Sequence, residues 1–265
     1  MEELARAHSP YPDRRHRAEL LRERYPHAAE VLTLYLALLE VQERAFEAAR
    51  DRPPQAGDLV AHLATKVLPG VLDVTLSAGP PKLAGAVMGR YHSADLDDLV
   101  GRWLRSADQS VVDRYLARAS SLPVLEALST EMLKVACRGP SDARQCPRCR
   151  GAPQVSYFAL SGEALLTGPR YLICSRCSHS WVHSRMRCAA CGETATSRLP
   201  VYSEAELLPH LRIDACDACR RYLLTVDLRK DVAAVPVVDE LAAIPLDLFA
   251  KERGYAKLLP NLMGI

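Results

Sequence analysis

The residues best suited to chemistry in this chain are eight cysteines that form four Cys-x-x-Cys pairs. Two intervening residues let a tight turn direct both thiolates at one ion, and two such turns complete a tetrahedral four-thiolate set. Soft thiolate ligands select zinc or iron. The spacing predicts two metal sites, formed in turn by Cys146, Cys149, Cys174 and Cys177, and by Cys188, Cys191, Cys216 and Cys219.

The cysteine pattern is an internal repeat, because adding 42 to the first four positions gives the second four. Arg170 and Arg212 also correspond in this way. The repeat favours two self-contained modules over a cross-braced arrangement that joins the first pair to the third. A closed tetrahedron leaves no coordination position open, so such modules are more often structural than reactive. Zinc and iron both fit the spacing, and iron in the same cage would be redox-active.

Three further residues near the pairs could take part in chemistry. Cys137 has no mate and ends a helical stretch, so we expect a buried small hydrophobic residue. His179 and His183 follow the second pair and could replace a ligand or carry protons, although we expect them to be incidental. The sequence has no Gly-rich phosphate loop, HExxH motif or GxSxG elbow, so no catalytic residue is predicted.

The composition is that of a globular protein, with 265 residues, 49% of them hydrophobic and 25% charged. Helical periodicity predicts an α-helical domain over 1–137, with breaks at Pro26 and at Gly79-Pro80-Pro81. Short apolar runs predict strands and hairpins around the cysteines. The predicted fold is α+β and multidomain, with helices near 57–67, 94–106, 109–119 and 122–137, metal modules at 138–184 and 185–230, and a helical tail at 231–265 that packs back through Leu241, Leu246, Leu248 and Phe249.

Charge and hydropathy restrict the classes of partner. The metal region, 138–230, carries 14 basic and 8 acidic residues, a formal +6. Two divalent ions with eight thiolates would carry −4, which leaves about +2, a small surplus for a nucleic-acid binder. The longest strongly apolar run, Leu32 to Val41, is shorter than the roughly 20 residues that span a bilayer. With no apolar signal segment at the start, we expect a cytoplasmic protein without a membrane span.

The motifs CPRC-x-GAP, RYLICSRCSHSW, RMRCAACGE and ACDACRRYL, with the tail LDLFAKERGY…PNLMGI, resemble the FdhE family of formate dehydrogenase accessory proteins. The segment RRHRAELLRERYP…YLALLEVQERAF is similar too, including Gln42. The resemblance implies a helical domain followed by two rubredoxin-like modules, with iron at the eight thiolates. It also implies action on the molybdenum-containing catalytic subunit before export. Arg150 departs from the family, which commonly has Gly after the first pair.

The predicted function is therefore that of a maturation factor without turnover of its own, docking on a formate dehydrogenase catalytic subunit and tuning its redox state. A structural zinc adaptor is the first alternative. A zinc-ribbon nucleic-acid-binding protein and a dithiol oxidoreductase are weaker ones. Self-association into a dimer stays open.

Overall fold

A layer of helices precedes a single β-sheet in this chain, as seen in a computed structural model that describes residues 9–140, 142–160, 168–204 and 206–264. A 3₁₀ turn at Pro26–Ala28 and a π-turn at Leu63–Val67 interrupt the helical layer. Its helices are α1 (Tyr11–Arg24), α2 (Ala29–Asp51), α3 (Leu59–His62), α4 (Leu68–Ala78), α5 (Pro81–Ser93), α6 (Leu96–Leu104), α7 (Val111–Ala127) and α8 (Thr130–Ala136). The predicted α+β class is confirmed.

Prolines mark several helix boundaries. Pro26 separates α1 from α2, and Pro81 begins α5 directly after Gly79 and Pro80, as predicted. The sequence predicted that a helix ends near residue 67. In the structure the helical segment continues directly into α4, which ends at Ala78, and α5 follows. Pro69 lies in the first turn of α4, where a proline costs no hydrogen bond. It therefore starts a helix here and does not end one.

Helix α7 continues through residues 120–121, where the sequence predicted a break between two helices, and Pro123 lies inside it. A proline at this position cannot donate the usual backbone hydrogen bond to the carbonyl of Ala119, four residues earlier. The side-chain amide of Gln42, fully buried on α2, donates to that carbonyl at 3.0 Å. The replacement donor satisfies the buried oxygen, so the helix can continue to Ala127.

Helix α2 is the centre of the helical layer and contacts α1, α4 and α7. Its residues Leu34, Leu38 and Leu39 are at most 2% exposed. The segment Leu59–Ala78 is long and apolar enough to cross a membrane by length and composition, and 44% of its most apolar window is buried inside the protein. Because α4 packs against α2 and α7, this apolar surface serves the helical core.

The sheet has seven strands in the described residues, and six of them follow the order β3-β2-β1-β6-β5-β4. The parallel contact between β1 and β6 joins Ser156 to Thr225, Tyr157 to Val226 and Phe158 to Asp227. It connects the strands of the first cysteine module to those of the second, so one continuous sheet carries both. The strands are β1 (Pro153–Phe158), β2 (Arg170–Cys174), β3 (Ser180–His183), β4 (Val201–Ser203), β5 (Leu211–Cys216), β6 (Arg221–Asp227) and β7 (Ala256–Lys257), the last pairing with β6.

The C-terminal segment forms two helices, α9 (Pro236–Ala242) and α10 (Ile244–Glu252), before β7. Helix α9 contacts α1, β1 and β6, so the end of the chain lies between the two layers. Leu241 and Leu246 are buried and Phe249 is half-buried, as predicted, but Leu248 is 55% exposed. The prediction for Leu248 was wrong because its side chain leaves the face of α10 that covers the sheet.

Buried ion pairs fix α1 to this C-terminal segment. The guanidinium of Arg17 donates two hydrogen bonds to Asp239 from Nε, at 3.1 and 3.0 Å, and one to Asp231 at 2.6 Å. His210 Nε2 lies 2.7 Å from Asp239, whose side chain is fully buried. Residues far apart in sequence thus meet at one carboxylate.

Candidate metal centres

The four Cys-x-x-Cys turns, here called knuckles, share one backbone geometry. In each knuckle the residue after the second cysteine has a left-handed backbone, with φ of 59° at Arg150, 51° at Ser178, 86° at Gly192 and 56° at Arg220. Its amide donates to the carbonyl of the first cysteine, at 2.9 to 3.2 Å. Arg150 therefore takes the left-handed turn that Gly would take more easily.

The knuckles bring the thiols together in two groups of four, in sequential order. In the first group, Cys146 Sγ lies 3.7 Å from Cys177 Sγ, and Cys149 Sγ lies 3.3 Å from Cys174 Sγ. Four sulfurs at about 2.3 Å from one zinc ion, at tetrahedral corners, lie about 3.8 Å apart. The separations are too long for disulfides, whose sulfurs are about 2.0 Å apart. The group could hold a metal ion.

The second group has the same spacing but a different environment. Cys188 Sγ lies 3.8 Å from Cys219 Sγ, and Cys191 Sγ lies 3.7 Å from Cys216 Sγ. Every cysteine of the first group is buried, with at most 3% exposure. In the second group only Cys216 is buried, and Cys191 is exposed. The two candidate centres therefore differ in their access to solvent.

Two arginines account for the burial of the first group. Arg176, between the cysteines of the second knuckle, is 2% exposed. Its guanidinium donates to Cys149 O at 3.3 Å, to Arg138 O at 3.0 Å and to Trp103 O at the end of α6. Arg148, in the first knuckle, donates to Leu128 O at 2.7 Å. Both side chains fasten the first group to the helical layer.

The second group lacks these anchors. By the 42-residue repeat, Ala190 and Ala218 occupy the positions of Arg148 and Arg176. An alanine cannot reach a neighbouring layer or donate a side-chain hydrogen bond. This anchoring role was not predicted from the sequence. The Arg-to-Ala difference between the aligned knuckles is the signal that could have revealed it.

The thiols influence each other electrostatically. Hydrogen bonds from Cys149, Cys174 and Cys177 lower the pKa of Cys146. Burial raises the pKa of Cys174. The pKa values of Cys146 and Cys174 are thus shifted in opposite directions. A cation at the centre would favour the thiolate form of every ligand, because metal ligation deprotonates coordinating thiols. The chemistry of the donor set thus fits a soft metal ion.

The residues that the sequence placed beside the metal sites lie outside both groups. Cys137 is 2% exposed, and burial raises the pKa of its thiol to about 11. His183 is buried with Nε2 3.3 Å from Arg187 O, and burial lowers the pKa of its ring. Among the described residues, neither His179 nor His183 belongs to a set of converging ligand atoms.

A third set of converging ligand atoms consists of His210, Asp231 and Asp239. The guanidinium of Arg17 lies among them, 2.6 Å from Asp231 and 2.5 Å from Asp239. This cation supplies the positive charge that the two carboxylates need. The set is therefore a structural ion-pair network.

Comparisons with known proteins agree with these features. Residues 186–263 match the family model for the FdhE C-terminal domain. An FdhE homolog of Aquifex aeolicus is 36% identical over 119 residues, 45% of this chain and 41% of that protein. One of Pseudomonas putida is 33% identical over 142 residues, 52% of this chain and 43% of that protein. These two alignments cover less than half of each relative's length.

Two comparisons extend over nearly the whole chain. An FdhE homolog of Rhizobium meliloti is 24% identical over 280 residues, 96% of this chain and 90% of that protein. The crystal structure of the FdhE protein from Pseudomonas aeruginosa superposes with a TM-score of 0.67 over 97% of both chains, at 23% identity. The structural likeness supports the helical layer followed by the cysteine-bearing sheet.

Proposed function

Because this chain belongs to the FdhE family, we propose that it is an accessory protein for the maturation of a formate dehydrogenase. The observation that carries the proposal is the pair of four-thiol groups on one sheet, each with the geometry of a metal site. The eight paired cysteines are the proposed ligands. The helical layer and the exposed side of the second group are available to a partner protein.

The role of the metal follows from its identity. Iron held by four thiolates would supply one-electron chemistry, whereas zinc would supply shape alone. In the favoured version of the proposal, two iron ions let the protein adjust the redox state of the catalytic subunit in the cytoplasm. In the adaptor version, two zinc ions hold the sheet in the form that docks.

Metal analysis separates these versions. Protein purified without oxygen from cells grown in ordinary iron and zinc should contain about two ions per chain, one for each four-thiolate site. Iron with a visible thiolate-to-metal absorption that bleaches on reduction supports the redox role. Zinc without colour supports the adaptor. Folded protein with eight titratable thiols and no metal would contradict both.

A deletion strain tests the biological role. Formate dehydrogenase activity should be lost while its catalytic polypeptide is still made, and the intact gene should restore it. A gene carrying Cys149→Ser should not restore activity, whereas one carrying Cys137→Ser should, because Cys137 lies outside both groups. Normal activity in the deletion strain would show that the protein serves another process.

The nucleic-acid alternative receives little support from the aromatic residues. Phe158 and Tyr222 are buried, and Tyr157 and Tyr171 stack on each other with centroids 5.2 Å apart. Binding of bases requires exposed rings beside a cationic track. Salt-sensitive binding to DNA or RNA would revive this alternative, since phosphate contacts weaken steeply with salt.

A further inference from the structure

A cationic cavity lies beside the second cysteine group and takes no part in metal binding. Its volume is about 240 Å³, and Cys188 forms part of its wall. Asp214 is the single carboxylate among its described lining residues, so five arginines and one aspartate give a formal +4. The arginines are Arg170, Arg185, Arg187, Arg212 and Arg221.

Internal ion pairs neutralise only part of this charge. Arg170 and Arg212, the pair that corresponds in the sequence repeat, share Asp214 at 3.0 and 2.9 Å. Within the described part of the chain, no salt bridge joins Arg185, Arg187 or Arg221 to a carboxylate. A metal-loaded second group would carry about −2 with a divalent ion, which still leaves the cavity positive.

The arginines are positioned by packing as well as by charge. Arg185 and Arg212 each lie with the guanidinium carbon 4.4 Å from the centroid of the Phe158 ring, which is 1% exposed. Arg185 also donates to Gly168 O. Burial and the neighbouring Arg229 and Arg212 lower the pKa of Arg185, a sign that positive charges crowd here. A bound anion would relieve that repulsion.

The opposite side of the cavity is apolar. Ala189 and Leu223 are buried, and Leu258 packs against them. All three line the cavity. A ligand with a charged end and an apolar end would therefore contact arginines on one side and aliphatic carbon on the other. Sites for small molecules commonly combine an apolar lining with a few converging polar groups.

We propose that this cavity binds a small phosphate ester, with its phosphate on the arginines and its organic group on the apolar side. A phosphate monoester carries −1.5 to −2 and three strong acceptor oxygens at neutral pH. It therefore matches a +4 lining better than a carboxylate with a single charge. Arginine also presents planar paired donors that fit phosphate oxygens. The five arginines line one cavity, whereas a nucleic-acid track would spread them along a surface.

Titration calorimetry on the full-length, metal-loaded protein tests this with three probes. Phenyl phosphate supplies both ends of the ligand, inorganic phosphate lacks the ring, and benzoate replaces the phosphate by a carboxylate. We expect one saturable site for phenyl phosphate, with affinity at least about tenfold above that for benzoate, as differential charge-assisted bonding implies. Inorganic phosphate should bind more weakly than phenyl phosphate.

The variants R185Q and R221Q remove positive charge without breaking an ion pair among the described residues. Each should weaken phenyl phosphate binding by about tenfold, the effect of one lost charge-assisted hydrogen bond. The matched control is R198Q, since Arg198 is an exposed arginine of the same module outside the cavity. Its affinity should change by less than about twofold.

Metal content and far-UV circular dichroism identify a variant that has lost its fold. If one of the two cavity variants does not fold, the other still tests the proposal. The absence of saturable phenyl phosphate binding would overturn the proposal. Equal weakening in R198Q, or benzoate binding as tightly as phenyl phosphate, would also overturn it. Equal affinity for inorganic phosphate would reject the contact between the organic group and the apolar side.

Discussion

At the level of single residues, burial distinguishes two cysteines that have the same ligand chemistry. Cys149 is fully buried and Cys191 is exposed. We expect Cys149→Ser to lose its metal and several kcal/mol of stability, on the order of 3 kcal/mol, because metal-binding energy is folding energy and buried thiols are left uncompensated. Cys191→Ser should also lose one metal, but with a smaller loss of stability. Metal content per chain and urea unfolding measure both effects.

The control for this comparison is Cys137→Ser, at a buried cysteine outside both groups. It should retain both metals. In the native protein, the Cys137 thiol should also resist alkylation at pH 8, since a pKa of about 11 leaves little thiolate. Equal stability losses for Cys149→Ser and Cys191→Ser would contradict the difference between the two environments.

The left-handed residue after each knuckle gives a second residue-scale prediction. Arg150→Gly should raise the free energy of unfolding by about 1 kcal/mol, because a left-handed backbone is costly for a residue with a Cβ. Gly192→Ala should lower it by a similar amount. Urea unfolding at constant metal loading measures both. A loss of stability in Arg150→Gly would mean that contacts of the arginine side chain outweigh the backbone strain.

The eight converging cysteines and their sequential order could be predicted, because each pair is formed by a short local turn that is visible in the sequence as a Cys-x-x-Cys motif. The sequence also indicated a buried Cys137. It did not identify the anchoring by Arg176, since the acceptors of that side chain are the carbonyls of Trp103 and Arg138, far away in the chain. The residue type alone does not show whether an arginine in a cysteine knuckle faces solvent or contacts another layer.

At the level of elements, α1 is held to the C-terminal segment by Arg17 and Asp239. Asp239→Asn should cost about 3–5 kcal/mol, because it leaves a buried guanidinium without its main carboxylate partner. Glu43→Gln is a matched control, since Glu43 on α2 pairs with Arg15 on α1 and both side chains are partly exposed. The control should change by no more than about 1 kcal/mol. Similar losses in both variants would contradict this ranking.

The second partner of Arg17 predicts a dependence on pH. Burial raises the pKa of Asp231, but hydrogen bonds from Arg17 outweigh it and hold that pKa below its ordinary value. A depressed carboxyl pKa stabilises the fold above the unfolded value of about 3.9 and stops doing so as pH falls through the folded value. Asp231→Asn should therefore be less stable than the parent protein at pH 7, by about 1 kcal/mol given its exposure.

That stability difference should shrink steadily below pH 4. Both proteins lose metal in acid as their thiolates protonate, so the difference between them isolates Asp231. Urea titrations across pH 3 to 7 measure it. A difference that stays constant in acid would show that Asp231 acts through shape and not through charge.

Helix boundaries can be predicted from the sequence where the signal is local, but not where a residue distant in sequence decides them. Pro26 and Pro81 were read correctly because a proline in a first turn acts locally. The break predicted at residues 120–121 was wrong, because Gln42, 81 positions before Pro123, supplies the hydrogen bond that this proline cannot donate. The strand order of the sheet was equally hidden, since the parallel contact of β1 with β6 joins segments of two modules.

At the level of the whole molecule, the helices and both modules share one contiguous group of buried apolar residues. The predicted division at residue 137 stays a prediction about chain organisation. The shared core predicts that both layers unfold together. The chain contains two tryptophans, Trp103 on α6 and Trp181 on β3, so single-tryptophan variants report each layer separately.

Trp103→Phe and Trp181→Phe should give fluorescence-detected urea midpoints that coincide with that of each variant's own far-UV circular dichroism. Each comparison within one variant controls for the effect of the substitution itself. Coincident transitions from different probes are the mark of a cooperative unit. A helical signal that persists after the Trp181 signal is lost would show that the layers are independent.

The head-to-tail arrangement of the modules has one more consequence. In the described sheet, β3 and β4 are the outer strands of the six-strand path, and the first module meets the second head to tail through β1 and β6. Nothing in that arrangement closes on itself, so a further copy added by the same rule would extend a filament. The outer strands are only four and three residues long, which gives an incoming chain little backbone to pair with. The short outer strands therefore limit the arrangement to two modules.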